Sequence, residues 1–524
     1  MKKYILTAVG VVAFLASYAQ KNDATLNKVT ETYTLKPDGA IDYDYSKSIT
    51  YHTHYSFFTL FGETFVVYNP AFQKLTINEC KTTQKDGTVV KAPENAFNEV
   101  LPSEAANSKD YNGLREMVIT HTGLEPDCTV DLSYSITGSP DGSPTLDIDR
   151  VIPIQGANIK EYNIVVNVPH GTKLDWSVSD SDVKPVIKEN TYTWTFRNIP
   201  AAAGDYYAPA SHKGQPRLSV TTAGSIEEAL RPLTVETTDI CEAPANVLDG
   251  KTTIEEKAEA IQKFIVENIA TGNVAPALTG YRFRQCASVL ASAFGTPAEK
   301  ALAMAKLMRS AGIDAGVVVV FPKNIKTRNI ANISKFIVKA GGKFYGVDKT
   351  GAYEAGNHAD RDDLVDLAGN QVSVSFNPLV INDTVDVELS VKDGEVETNE
   401  GSVAKRGSYW AYTVPENKKG VDSWGMTQLN SKRTDWFEIK SPIVETDVFT
   451  IRLDGLTSLT KSCDFNLENA AGSVKLSIEN AGSQVIIRRE IKLDKSLYPP
   501  TEYQMVRALL LEWYSPAYRR LILR

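Results

Sequence analysis

Along most of the chain, apolar and polar residues alternate with the two-residue period of half-buried strands. Runs such as Phe65–Tyr68, Thr88–Val90, Met117–His121, Val130–Ile136, Tyr162–Val168 and Tyr192–Phe196 are rich in β-branched and aromatic residues. Turn signals separate them at Lys36-Pro37-Asp38-Gly39, Lys85-Asp86-Gly87 and Glu125-Pro126-Asp127. The pattern predicts a β-rich region over residues 20–235, either continuous or as two sandwich-like halves split near 150. Near residue 240 the period changes. Thr253 and Glu256 form a capping box, and Ile254, Ala258, Ile261, Ile265 and Ile269 follow at helical spacing. A second helix is predicted over 285–293 and a third after Thr296. Strands then follow at Ala315–Phe321, Phe336–Val338 and Phe344–Val347. Helices followed by an antiparallel sheet predict an α+β domain over 240–380. Residues 382–524 return to strands, with a helix over Thr501–Leu511 and a last strand at Leu521–Leu523. The expected fold class is therefore α+β and multidomain, with β-rich regions on either side of a central α+β domain.

The third helix carries the most information. Thr296 is a good N-cap, Glu299 completes a capping box, and Pro297 falls at the first helical position, where its missing N–H costs nothing. Ala301, Met304, Ala305 and Met308 recur at helical spacing, and Gly312 can close the C-terminus. A helix N-terminus favours a thiolate, yet here the first helical residue is a proline.

The stretch Phe294–Ile313, FGTPAEKALAMAKLMRSAGI, resembles the nucleophile helix of bacterial transglutaminase-like domains. Gly295, Lys300, Ala301, Leu302, Arg309, Gly312 and Ile313 match its usual pattern, with Glu299 at the acidic position. Thr296 stands where the family has aspartate, and Pro297 where it has the catalytic cysteine. The segments Lys85–Val90, Gly123–Tyr134 and Trp194–Ala201 resemble the β-rich domain of unknown function that precedes such domains in exported Bacteroidetes proteins. Pro500, Tyr503 and Arg507 resemble their closing β domain. The resemblance implies a papain-like central domain using Cys, His and Asp, in which the imidazole shuttles a proton for the thiolate. The histidine position falls on Ser334 or Lys335, while Asp348 keeps the carboxylate. The implied site Thr296, Pro297, Lys335 and Asp348 is degenerate.

The first residues, MKKYILTAVGVVAFLASYAQ, read as a secretory signal peptide ending at Ala19, without a lipobox cysteine; an uncleaved anchor is the alternative. Removing residues 1–19 would leave 505 residues, with 54 basic against 64 acidic side chains. That balance disfavours nucleic acid and anionic membrane surfaces as partners. No later segment is apolar enough to cross a bilayer. The expected location is the periplasm, the cell surface or outside the cell. Cys80, Cys128, Cys241, Cys286 and Cys463 show no C-x-x-C spacing, and their odd number leaves at least one unpaired. Cys80 and Cys128 either pair or are small buried thiols.

Cys286 is the alternative nucleophile, with His358 downstream as a base; the competing reading is a packing residue and an exposed loop histidine. His52 and His54 either share a strand face without a metal or begin a zinc site that lacks a third ligand. Asp360, Asp362, Asp363 and Asp366 read as a solvated helix start rather than a calcium loop. Lys335 and Asp348 are placed to form an ion pair between neighbouring strands. No cofactor or metal is expected. The leading functional expectation is a non-catalytic envelope protein that binds or scaffolds a peptide, protein or glycan. The alternative is an amide-processing enzyme that uses Cys286.

Overall fold

The computed structural model describes residues 22–106, 108–140, 145–234 and 241–524. The expected signal peptide lies outside the described residues. Among the described residues, strands hold 42% and helices 19%. The expected α+β class is therefore corrected to a mostly β, multidomain protein in which no distinct transglutaminase-like α+β domain stands out. The helical segments read from the sequence do form. They are few, however, and strands surround them.

In the N-terminal region the strands are β1 (Ala24–Leu35), β2 (Ile41–Tyr51), β3 (Glu63–Tyr68), β4 (Gln73–Thr83), β5 (Val89–Lys91), β6 (Phe97–Val100) and β7 (Arg115–Thr120). They continue as β8 (Thr129–Gly138), β9 (Asp147–Val151), β10 (Ala157–Asn167), β11 (Asp175–Ser179), β12 (Val186–Lys188), β13 (Thr191–Ile199) and β14 (Arg217–Thr221). One eight-stranded sheet runs β12-β13-β10-β1-β2-β8-β4-β5. Two three-stranded sheets, β11-β14-β9 and β3-β7-β6, cover its inner face. The first buries Trp194, Phe196, Ile164 and Leu218. The second buries Val66, Ile119 and Leu132. Alternation along β1 and β2 produces this arrangement, because every second side chain reaches the same face.

After the five-residue helix α1 (Ile226–Leu230), the middle region contains α2 (Ile254–Asn268), α3 (Cys286–Ser292) and α4 (Pro297–Ser310). Two short strands, β15 (Ala270–Thr271) and β16 (Phe294–Gly295), pair in parallel just ahead of α4. Its main sheet contains β17 (Ala315–Pro322), β18 (Lys335–Ala340), β19 (Lys343–Gly346), β20 (Asp362–Asp366) and β21 (Gln371–Val372), in the order β19-β18-β17-β20-β21. Ala301, Met304, Ala305 and Met308 of α4 pack with Val317, Val338 and Tyr345 of this sheet. The Asp360–Asp366 stretch, expected as a helix start, instead supplies strand β20, which pairs with β17. Its adjacent Leu364 and Val365 are buried on opposite faces of the sheet, so the segment acquires strand meaning only beside that partner.

The C-terminal region contains a six-stranded sheet, in which Leu379–Lys392 pairs in parallel with Ile443–Asp454 and that strand pairs antiparallel with Gln484–Leu493, beside a three-stranded sheet that includes Tyr409–Thr413 and Arg520–Leu523. Helix α5 (Tyr503–Trp513) packs Val506, Leu509, Leu510 and Trp513 over Leu476 and Ile491. Side chains join the three regions. Asn329 donates to Val220 O at 2.8 Å and Ile148 O at 3.2 Å. Ser496 donates to Asp360 Oδ2 from its nitrogen at 2.9 Å and its hydroxyl at 2.7 Å. Among the described residues, no helix is long and apolar enough to cross a membrane.

Candidate functional site

The head of α4 is built as its sequence requires. Thr296 Oγ1 accepts from Glu299 N at 3.3 Å, Glu299 Oε2 accepts from Thr296 N at 2.9 Å, and Pro297 occupies the first turn. Glu299 serves more than the cap. Its carboxylate, fully removed from solvent, also accepts from Arg284 N at 2.9 Å, Arg284 Nε at 3.1 Å, Arg284 Nη2 at 2.9 Å and Tyr111 Oη at 2.7 Å. Burial opposes its charge, but bonds from Arg284, Thr296 and Tyr111 outweigh burial and hold the carboxyl below its ordinary range. Arg284 also pairs with Asp110 and donates to Phe294 O at 2.7 Å. Tyr111 and Asp110 belong to the N-terminal region, and Tyr111 packs edge-on against Phe294. The first turn of α4 is thus sealed by a side-chain network from a distant part of the chain. Thr296 is buried and its hydroxyl is committed to the cap. Replacing Thr296 with alanine should cost about 1 kcal/mol of stability, the usual value of an N-cap, read from the urea midpoint.

The other expected site residues stand apart from this network. Ser334 donates to Val320 O at 2.9 Å. Lys335 Nζ lies 3.8 Å from Asp348 Oδ2 and 5.1 Å from the Tyr353 ring centroid. This is a solvent-facing pair, worth little to stability. His358, expected as an exposed loop residue, is half-buried and stacks on Tyr353 at 5.3 Å. Its Nδ1 accepts from Arg361 Nη2 at 3.0 Å. Burial, then Arg361 and Lys335, push its pKa down to about 4, so it is neutral near pH 7. Lys300 is buried and donates to Ile269 O and Thr271 Oγ1, each at 2.8 Å. Burial lowers its pKa, and Asp348 opposes that shift.

Cys286, the alternative nucleophile, opens helix α3, but its sulfur is bonded to Cys241. No thiol is present there to attack. Cys80 and Cys128, expected either to pair or to be small buried thiols, are both free, Cys128 buried and Cys80 part-exposed. β2 ends at Tyr51, so His52 and His54 share no strand face. His52 instead faces Thr25 at 2.8 Å, and His54 lies against Phe57 and Phe58. Among the described residues, no group of three His, Cys, Asp or Glu is placed to hold a metal.

One contact escaped sequence reasoning, because 41 residues separate its partners. Cys80 Sγ lies 3.6 Å from His121 Nδ1, and His121 Nε2 lies 2.9 Å from Thr64 Oγ1. Burial, then Lys47, hold His121 down to about 3, while burial pushes the Cys80 thiol up. An imidazole that weakly basic cannot take the proton of so weakly acidic a thiol, so the pair is not a poised nucleophile.

Two family models match the chain. Residues 37–203 match DUF3857 and residues 409–523 match DUF3858, each described as a domain of unknown function with a solved structure. A crystal structure of a "putative protease" from Parabacteroides distasonis ATCC 8503 aligns with a TM-score of 0.83 and 33% identity, over 96% of this chain and 99% of that one. The chain belongs to the family of that protein. Two M1 zinc metallopeptidase structures align far less well. One, from Deinococcus radiodurans, has 11% identity and a TM-score of 0.21 over 47% of this chain and 54% of that one. The other, a two-domain mutant bound to L-tryptophan, has a TM-score of 0.19, 11% identity and coverage of 56% and 72%. No curated protein matches this chain.

Proposed function

We propose that this chain is a non-catalytic relative of a protease-type protein, exported to the cell envelope, where it binds or scaffolds a peptide, protein or glycan. One observation carries the reading. The head of α4 holds Thr296 and Pro297 inside a closed capping network, while the neighbouring cysteine, Cys286, is tied to Cys241. A helix head suited to a thiolate therefore has no sulfur, and its one hydroxyl is already committed. The accessible part of the surface is the rim carrying Lys335, Tyr353 and Asp348, where a peptide could lie.

The name given to the Parabacteroides relative favours a peptidase as the second reading. Two measurements separate them: hydrolysis of fluorescently labelled casein, and alkylation by iodoacetamide at pH 6 with mass mapping. The expected result is no turnover and no cysteine alkylated faster than the exposed Cys463. Turnover that disappears on substitution of one cysteine, or on mutation of Lys335 or His358, would establish the peptidase instead. If the binding reading is right, Asp348→Lys should alter the pattern on a peptide array without lowering the melting temperature.

A further inference from the structure

The centre of the N-terminal sandwich is polar where a sandwich core is normally aliphatic. Strand register places Tyr33 opposite Tyr43, Glu31 opposite Tyr45, Tyr45 opposite Tyr134, and Lys47 opposite Leu132, all on the inner face of the large sheet. The tyrosines form a continuous strip, with ring centroids 4.9 Å apart for Tyr33 and Tyr43, 6.2 Å for Tyr43 and Tyr134, and 5.1 Å for Tyr45 and Tyr134.

This strip lies where the two covering sheets fail to join. β9 is the edge of one cover and β3 the edge of the other, and they do not pair. Arg150 on β9 reaches down to Glu31 at 3.0 Å, and Thr64 on β3 accepts from Lys47 Nζ at 2.8 Å. The seam between the covers therefore runs above β1 and β2. Tyr33, Tyr43, Tyr45 and Lys47 each keep part of their surface in solvent.

Hydrogen-bond capacity along the seam is unevenly spent. Glu31 is fully engaged, accepting from Tyr162 at 2.5 Å, from Tyr33 at 2.7 Å and from Arg150. Its charge is matched by Arg150. Lys47 differs: Thr64 takes one of its three ammonium hydrogens, and no carboxylate pairs with it among the described residues. The Tyr45 hydroxyl, two residues away on the same face, has no hydrogen-bond partner among the described residues. Burial, then Tyr134 and Glu31, keep that phenol protonated and able to donate. An under-bonded cation costs free energy unless an anion meets it.

We propose that this seam binds an acidic sugar, with its carboxylate on Lys47 Nζ and Tyr45 Oη and its ring against the part-exposed side of the strip at Tyr43 and Tyr45. The ring faces supply flat apolar contact and their hydroxyls supply direction, the mix that small-ligand sites use. The carboxylate supplies the charge that Lys47 lacks. The site is separate from the head of α4 and stands whether or not the middle region is catalytic.

The test is calorimetric titration of the full chain with trigalacturonate and with N-acetylmuramic acid. Maltotriose and N-acetylglucosamine serve as neutral counterparts, and trialanine as a peptide carboxylate. At least one acidic sugar should bind while its neutral counterpart does not. Lys47→Met should weaken binding roughly tenfold to a hundredfold, as loss of a hydrogen bond to a charged group does. Tyr45→Phe, which keeps the ring, should weaken it less. Lys74→Met makes the same charge change on the opposite face of the sheet and should leave binding unaltered. Thermal melts of the variants show whether each is folded. No binding by either acidic sugar, equal binding of neutral sugars, binding of trialanine alone, or a folded Lys47→Met protein that binds normally would each overturn the proposal.

Discussion

Replacement of Arg489 with leucine is expected to destabilise the C-terminal region by about 3–5 kcal/mol, the usual cost of leaving buried charges unpaired. Arg489 is wholly inaccessible to solvent. Its Nη1 lies 3.3 Å from Asp422 and 3.5 Å from Asp447, its Nη2 donates to Trp513 O at 2.8 Å, and its guanidinium sits 3.9 Å from the Trp513 ring centroid. Without it, two buried carboxylates would face each other with Arg519 as the remaining cation, 3.4 Å from Asp422. Urea denaturation followed by tryptophan fluorescence would report the loss. A variant as stable as the parent would show that the cluster neutralises itself by taking up protons.

The same cluster gives a pH signature. Burial, then Asp447 and Asp422, push the Glu445 carboxyl up from 4.5 to about 8, against a hydrogen bond from Val421 N and the pull of Arg489. Because the folded value lies above the unfolded one, the native state holds the proton more tightly. That contribution is complete below about pH 4.5 and is lost as the pH rises through about 8. Glu445→Gln, a permanently neutral copy, should match the parent below about pH 4.5 and exceed it by a margin that grows until about pH 8. Parallel stability profiles for the two proteins would rule this out.

Loss of the Cys241–Cys286 bond is the second large effect expected. The bond closes a loop across 45 positions, and its Cα atoms are 6.0 Å apart. Loop-closure entropy puts its removal at about 4 kcal/mol. It fixes the segment entering the middle region to the head of α3, which packs on α4 through Val289 and Ala303. Dithiothreitol, or the paired Cys241→Ser and Cys286→Ser substitutions, should lower the melting temperature and expose residues 242–253 to proteolysis. An unchanged melt under reducing conditions would mean that helix packing alone holds the segment.

Local rules made parts of this fold legible in advance. The capping boxes at Thr253–Glu256 and Thr296–Glu299 depend on residues three apart, so sequence spacing alone locates them, and the structure contains both. Helix α3 and the last strand were also legible from local sequence. The fold class was not. Helical periodicity between 254 and 310 drew attention to a small part of a chain whose mass lies in long-range strand pairing. The Asp362–Asp366 strand was hidden because its identity comes from β17, not from its own acidic residues. Similarly, no spacing rule joins Cys241 to Cys286, Cys80 to His121, or Tyr111 to Glu299, whose partners meet only after the sheets assemble. At the head of α4, sequence reading found the cap but not the arginine and tyrosine that close over it.

That closure has a consequence for any attempt to install a nucleophile there. A nucleophile works only where a substrate can approach it, and the approach to α4 is a joint between two regions of the molecule. Pro297→Cys would add a sulfur to a keystone rather than to a doorway. Opening the keystone into a doorway would require removing Tyr111 and Arg284 as well, and with them part of what holds the regions together.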